Sequence, residues 1–224
     1  MKNVKDASSK HGEQILNQED IDSRLVYRFF KKFIDKSLSL IAIIILSPIF
    51  LLISLLIKHE DNGPVFYVQK RVGRNGKLFN IYKFRSMIVN ADQKIDKLVE
   101  KNEIDGAMFK IKNDPRITGV GKFLRKYSLD ELPQLLNVLR GDMSLVGPRP
   151  PLEREVQKYT KYDMQRLMVT PGCSGLWQVS GRNDLSFEEM VQLDIDYIKQ
   201  SSLHFDVWIM ARTVFIMIRP NSAY

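Results

Sequence analysis

From Ser37 to Ile57 the chain carries no charged residue, SLSLIAIIILSPIFLLISLLI, and this run constrains what the rest can fold into. As a helix rising about 1.5 Å per residue it reaches roughly 30 Å, the depth of a bilayer's hydrocarbon core. It lies too far into the chain and is too long for a secretory signal, and it lacks a small-residue cleavage site. Two features bear on whether it crosses. Pro48 sits inside the run, where it removes the hydrogen bond to the Ile44 carbonyl, and Ser47 beside it has a hydroxyl that can serve a freed carbonyl. Both flanks are also basic: Arg24, Arg28, Lys31, Lys32 and Lys36 precede the run, and Lys58, Lys70, Arg71, Arg74 and Lys77 follow it. The positive-inside tendency wants both flanks in the cytoplasm. A re-entrant helix broken at Ser47-Pro48, entering and leaving by one face, satisfies that; a kinked spanning helix, which membrane proteins tolerate, is the alternative.

The flanking composition fits a folded protein at a membrane. Arg24 to Phe33 interleaves basic and aromatic residues, as interfacial segments do, and residues 1–23 read as a polar tail. The net charge of +8 points to an anionic partner: nucleic acid, an acidic membrane surface or a phosphorylated substrate. Nucleic acid fits worst, because the basic residues adjoin the apolar run and no nucleic-acid motif is present. Cys173 is the single cysteine, so no intrachain disulfide exists, and its Pro-Gly-Cys-Ser-Gly setting reads as a structural turn.

Beyond the membrane run, Val65–Val68 and Leu78–Tyr82 read as strands of a small hairpin turning at Asn75-Gly76. Helices are predicted over 88–104, from about Asp130 to Leu139 with a stop at Gly141, over 152–169, and over 187–200. In the last of these, Phe187, Met190, Val191, Ile195 and Ile198 fall near helical spacing. Phe205–Ile218 is apolar but short for a span, which assigns it to the core or to the membrane surface. The chain thus reads as α+β and mostly helical: tail 1–23, interfacial and membrane segment 24–58, and a folded domain 59–224 that carries the chemistry considered next.

The richest chemistry lies in Ser128-Leu-Asp130-Glu131-Leu-Pro133-Gln134. Ser128 and Glu131 have the spacing of a capping box, and acids favour a helix N-terminus, so ordinary helix capping is one reading. Against it, Pro133 suits a helix that starts nearer Asp130. Two adjacent carboxylates point about 100° apart on a helix and can do different jobs. Basic residues stand in related stretches: Lys83 and Arg85 in Lys-Phe-Arg-Ser-Met, Arg125, Arg149 in Gly-Pro-Arg-Pro-Pro, and Arg182 in Ser-Gly-Arg-Asn. Guanidinium forks match phosphate oxygens, so carboxylates for a metal plus arginines on stiff turns point to phosphoryl chemistry on a diphosphate. No phosphate-binding glycine loop, dinucleotide fingerprint or zinc spacing occurs, and His11, His59 and His204 read as structural or exposed.

These residues resemble the bacterial sugar transferases, also called monotopic phosphoglycosyl transferases. The resemblance runs from about Tyr27 to Pro220 and rests on seven segments in order: Ser47-Pro48, Val68–Gly73, Lys83–Met87, Asn113–Thr118, Ser128–Gln134, Asn137–Pro150 and Gly175–Asn183. It implies a monotopic protein of the short kind, with a re-entrant membrane helix, amphipathic interface helices, and an active site on the cytoplasmic face of the bacterial inner membrane. It also implies that Asp130 attacks the sugar-bearing phosphate of a UDP-sugar, releasing UMP, and that undecaprenyl phosphate then takes the phosphosugar. Glu131 would hold Mg²⁺, and Lys83, Arg85, Arg125, Arg149 and Arg182 would contact phosphate or nucleotide. Implied partners are a UDP-sugar, undecaprenyl phosphate and membrane lipids; a homodimer is open. Phe109–Asp114 and Leu176–Val179 look closer to members that transfer a hexose-1-phosphate for surface polysaccharide. The chain departs from the pattern at Cys173-Ser174, where a β-branched residue and threonine are expected after Pro-Gly.

Overall fold

A computed structural model describes residues 15–91, 114–181 and 185–218. Arg182, and the helix expected over 88–104 beyond Ala91, lie outside them. Among the described residues the fold is mostly helical with two small sheets.

Two helices open the fold: α1 (Gln18–Ser23) and α2 (Leu25–Asp61). The first replaces part of the expected polar tail. Asn17 accepts from Glu19 N–H at 2.9 Å, and Ile21 inserts into the core, so six residues suffice for a packed turn. The second, 37 residues long, contains the whole uncharged run and is the one described helix long and apolar enough to cross a membrane. Pro48 lies inside this helix. Ser47 Oγ donates to the Ile44 carbonyl at 2.8 Å, satisfying the acceptor that proline cannot serve.

Both ends of α2 lie against one body of the protein. Near its start, Ser144 donates to buried Asp35 at 2.6 Å, and Lys31 reaches Asp206 at 2.9 Å. Near its end, Ile53 and Ile57 pack with Phe84 and Leu124, and Glu60 accepts from Gly119 N–H at 2.8 Å. Between these contacts the apolar surface is bare: Ile44 is 64% and Ile45 68% exposed.

β1 (Phe66–Val72) and β2 (Leu78–Phe84) form the expected antiparallel hairpin, Phe66 opposite Phe84. At its tip Asn75 (φ 56°) and Gly76 (φ 78°) take the left-handed backbone that an Asn-Gly turn supplies cheaply. α3 (Gly119–Lys126), α4 (Gln134–Arg140) and α5 (Glu153–Val156) follow, with β3 (Ser144–Val146) between the last two. β4 (Gly172–Ser174) pairs parallel with β3, a second sheet the sequence did not announce. α6 (Leu176–Ser180), α7 (Phe187–Gln200) and α8 (Leu203–Ile218) complete the chain.

α7 has the predicted bounds and buries Met190, Val191, Ile195 and Ile198. The predicted helix over 152–169 is instead α5 followed by a separate 3-10 stretch, Asp163–Met168. Thr160 donates from backbone and hydroxyl to Asp163 Oδ2 at 2.8 and 2.9 Å, starting a fresh helical turn where one continuous helix was expected. α8 buries Asp206 and Ile209 but leaves Trp208, Val214 and Phe215 exposed. These exposed apolar residues add to those of bare α2.

Candidate active site

Asp130 and Glu131 occupy a single 3-10 turn, Leu129–Glu131, ahead of α4. The helix thus starts four residues later than predicted, with Pro133 at its N-cap and Gly141 (φ 87°) ending it as expected. Ser128 has a left-handed φ of 55° and makes no side-chain cap bond, so the capping-box reading of Ser128 and Glu131 fails. The turn is instead closed by its own backbone, Glu131 N–H donating to the Ser128 carbonyl at 3.2 Å.

Fully buried Asn137 fixes this turn against the hairpin. Its Nδ2 donates to the Asn80 carbonyl at 2.7 Å, and Tyr82 N–H donates to its Oδ1 at 3.1 Å. That double bond to the edge of β2 brings Lys83 to the carboxylates, with Nζ 2.5 Å from Glu131 Oε1. The 147–151 loop also borders the site, its Arg149 acting on Glu131. Gly147 and Gly172 are in backbone contact, since a Cβ on Gly172 would lie 2.0 Å from Gly147 N, so neither position tolerates a side chain. Val72 N–H donates to the Pro151 carbonyl at 2.9 Å, tying the loop to β1. Buried Glu155 accepts from Leu152 N–H at 2.8 Å and sits 3.7 Å from the Arg149 guanidinium, which orients that side chain.

The environment splits the two acids. Burial raises Asp130 above the usual carboxylate range, to about 6; the neighbouring Glu131 adds to this, and Lys83 and Arg125 work against it. Burial also acts to raise Glu131, but the charge and hydrogen bond of Lys83, with Arg149 and Arg71, outweigh it and hold Glu131 below its ordinary value. Two adjacent carboxylates thus differ in basicity, an arrangement typical of functional sites.

Lys83, Arg125 and Arg149 therefore all act on the carboxylate pair. Arg85 does not join them. Its Nη1 and Nη2 grip Asp61 at 2.6 and 2.5 Å, and Nε donates to the Pro64 carbonyl at 2.6 Å, so it clamps the end of α2 to the hairpin.

Sequence reasoning passed over Arg71. It is 7% exposed on β1, donates to the Pro150 carbonyl at 3.1 Å and to Gln69 Oε1 at 2.7 Å, and leaves Nε buried without a partner. Burial and nearby Arg149 lower it to about 10, so it remains a cation at neutral pH. Its place in a run of basic residues hid it; the mark it carries is its seat among valines in a strand.

Lys83, Arg125, Arg149 and Arg71 surround the two carboxylates, with Glu155 beside Arg149, a cation-rich setting suited to phosphate oxygens. Cys173 packs against Ile81, Val138 and Met143, and burial, then Glu131 and Asp35, push its thiol well up, which fits its structural reading. His59 and His204 are exposed, as expected.

Fold and site define a class: a helical protein with a membrane-length apolar helix and a carboxylate pair ringed by cations suited to a polyanion. The chain belongs to the bacterial sugar transferase family, matched over residues 26–220. It is 46% identical over 201 residues to the undecaprenyl-phosphate galactose phosphotransferase of Salmonella typhimurium, a match covering 88% of this chain and 42% of that protein. It is 44% identical over 198 residues to the exopolysaccharide production protein ExoY of Rhizobium meliloti, covering 87% of this chain and 88% of that protein. With the UDP-glucose:undecaprenyl-phosphate glucose-1-phosphate transferase of Xanthomonas campestris pv. campestris it shares 39% over 217 residues, 93% of this chain and 43% of that protein. The chain thus spans less than half of the Salmonella and Xanthomonas relatives and most of ExoY.

Proposed function

We propose that the protein transfers a sugar-1-phosphate, a hexose such as galactose or glucose, from a UDP-sugar to undecaprenyl phosphate, releasing UMP, in surface polysaccharide synthesis. The observation that carries this reading is the Asp130–Glu131 pair, split in basicity and faced by four cations. The relatives' names supply the substrate class. An Asp130 oxygen attacks the sugar-bearing phosphorus, and the bond from that phosphorus to the bridging oxygen breaks, its electrons leaving on UMP. A phosphate oxygen of the lipid then attacks the same phosphorus and frees Asp130. Lys83, Arg125, Arg149 and Arg71 hold the charged oxygens throughout.

The site's chemistry suits Mg²⁺. Magnesium takes one or two carboxylates and completes its shell with water and substrate phosphate. Among the described residues there is no cluster of three or more ligating groups, and the pair offers that smaller set, with Glu131 held ionised. Glu131 would hold the ion, which when bound neutralises charge on the phosphate oxygens.

With UDP-galactose or UDP-glucose, undecaprenyl phosphate and Mg²⁺, the nucleotide product is expected to be UMP. A sugar-only glycosyltransferase would release UDP, and a non-catalytic membrane adaptor would release neither.

We infer further that α2 is re-entrant, with the catalytic domain on the cytoplasmic face of the inner membrane. Support comes from the two ends of α2, which engage one body while the apolar middle stays bare. In a Cys173→Ala background, Leu25→Cys and His59→Cys are both expected to resist a membrane-impermeant maleimide in intact spheroplasts and to react after lysis. Labelling of only one before lysis would mean that the helix crosses.

A further inference from the structure

A cavity of about 550 Å³ lies away from the carboxylate pair, between the start of α2, the hairpin tip and residues 141–144 and 169–170. None of Lys83, Asp130, Glu131, Arg71 or Arg149 lines it. Its walls are cationic, and the cations divide into two sets. Arg24, Arg28, Lys31 and Arg74 are occupied in building the fold. Arg24 donates to the Ile198 and Lys199 carbonyls at the end of α7, Arg28 and Arg74 both engage Asp22, and Lys31 engages Asp206. Lys32, Lys36 and Lys77 also line the cavity, and among the described residues no ion-pair partner engages them. Among the described residues Asp35 and Asp142 are the acids in the wall, and Ser144 and Lys31 already engage Asp35. Three uncommitted ammonium groups over an already cationic wall leave a strongly positive, ligand-sized hollow.

The depth of the cavity says what reaches it. Lys36 directly precedes the uncharged run, and Leu25 and Phe29, which also line the cavity, are 69% exposed. Aromatic rings beside lysines at the end of an apolar helix mark the headgroup layer of a bilayer. We propose that this cavity is a second phosphate site, separate from the carboxylate site, which holds the headgroup of an anionic phospholipid. The lysines take the phosphate, and Leu25 and Phe29 take the first carbons of the lipid.

The full chain, purified in a non-ionic detergent and offered equal phosphatidylglycerol and phosphatidylcholine, is expected to retain the first preferentially on native mass spectrometry. Lys32→Gln/Lys36→Gln/Lys77→Gln should cut that preference roughly tenfold, since each basic residue at a membrane surface contributes to anionic-lipid binding. Removing three charges from exposed positions elsewhere, Lys122→Gln/Lys158→Gln/Lys161→Gln, should leave it unchanged. Asp130→Asn should also keep the lipid, so loss of the proposed reaction and loss of this site read out separately. Inorganic phosphate is the second arm: failure to displace the lipid at equal concentration assigns the site to a headgroup, and displacement assigns it to a soluble phosphate compound. Equal retention of the two lipids, or a preference untouched by the first triple variant, overturns the proposal.

Discussion

Asp130→Asn is expected to abolish UMP release, by about 10⁴-fold or more, as loss of a covalent nucleophile does. The amide matches the carboxylate in shape, so Lys83, Glu131 and the backbone of the 129–131 turn keep their positions, and the melting temperature should barely move. A phosphosugar adduct that the wild-type chain accumulates on mixing with a UDP-sugar alone should be missing from the variant's intact mass. The wild-type pH profile tests the same group by a separate route. Attack needs the ionised carboxylate, and burial raises Asp130 to about 6. UMP release should therefore fall about tenfold per unit as pH drops below about 6 and level off above it. Activity surviving in the asparagine variant would remove Asp130 from the role of nucleophile, whereas an acid limb near pH 4 would show only that its carboxyl is not raised.

How far the sequence carried this site differs residue by residue. The stretch 128–134 announced two acids at the mouth of a helix but could not separate capping from chemistry. The capping-box reading falls with Ser128, whose left-handed backbone takes its side chain out of the capping geometry. Lys83 was singled out by its Lys-Phe-Arg-Ser-Met stretch, and the strand expected to end at Tyr82 runs on to Phe84 and carries it to the carboxylates. Arg85, two residues on, shares the face of Lys83 only if the strand continues. It ends at Phe84, and the arginine turns to Asp61 instead. Arg71 could not be assigned because its burial comes from Pro150, a loop carbonyl 79 positions away in sequence. The parallel pairing of Ser144–Val146 with Gly172–Ser174 was hidden for a related reason: three-residue strands carry no alternation to read. The membrane helix was the most legible element, since composition alone determines it. The bonding at Pro48 was legible only as an option, a serine hydroxyl beside a carbonyl that proline frees, and Ser47 takes it up.

The largest effect on stability is expected at Asp194, on α7. It is fully buried, its Oδ2 accepts from Arg166 Nε at 2.7 Å, and Arg166 itself is 6% exposed. Arg166 also donates to the Tyr159 hydroxyl at 2.8 Å, so one guanidinium joins the 3-10 stretch, the segment after α5 and α7. Asp194→Ala leaves that guanidinium buried without its counter-charge, a loss of about 3–5 kcal/mol. For a chain of this size it should appear as a fall of roughly 10 °C in Tm. Asp194→Leu/Arg166→Met, which removes both charges, should recover much of the loss, because desolvating the pair already offsets much of its attraction. A double variant as unstable as Asp194→Ala would show that the cost lies in packing at α7 and not in an orphaned charge.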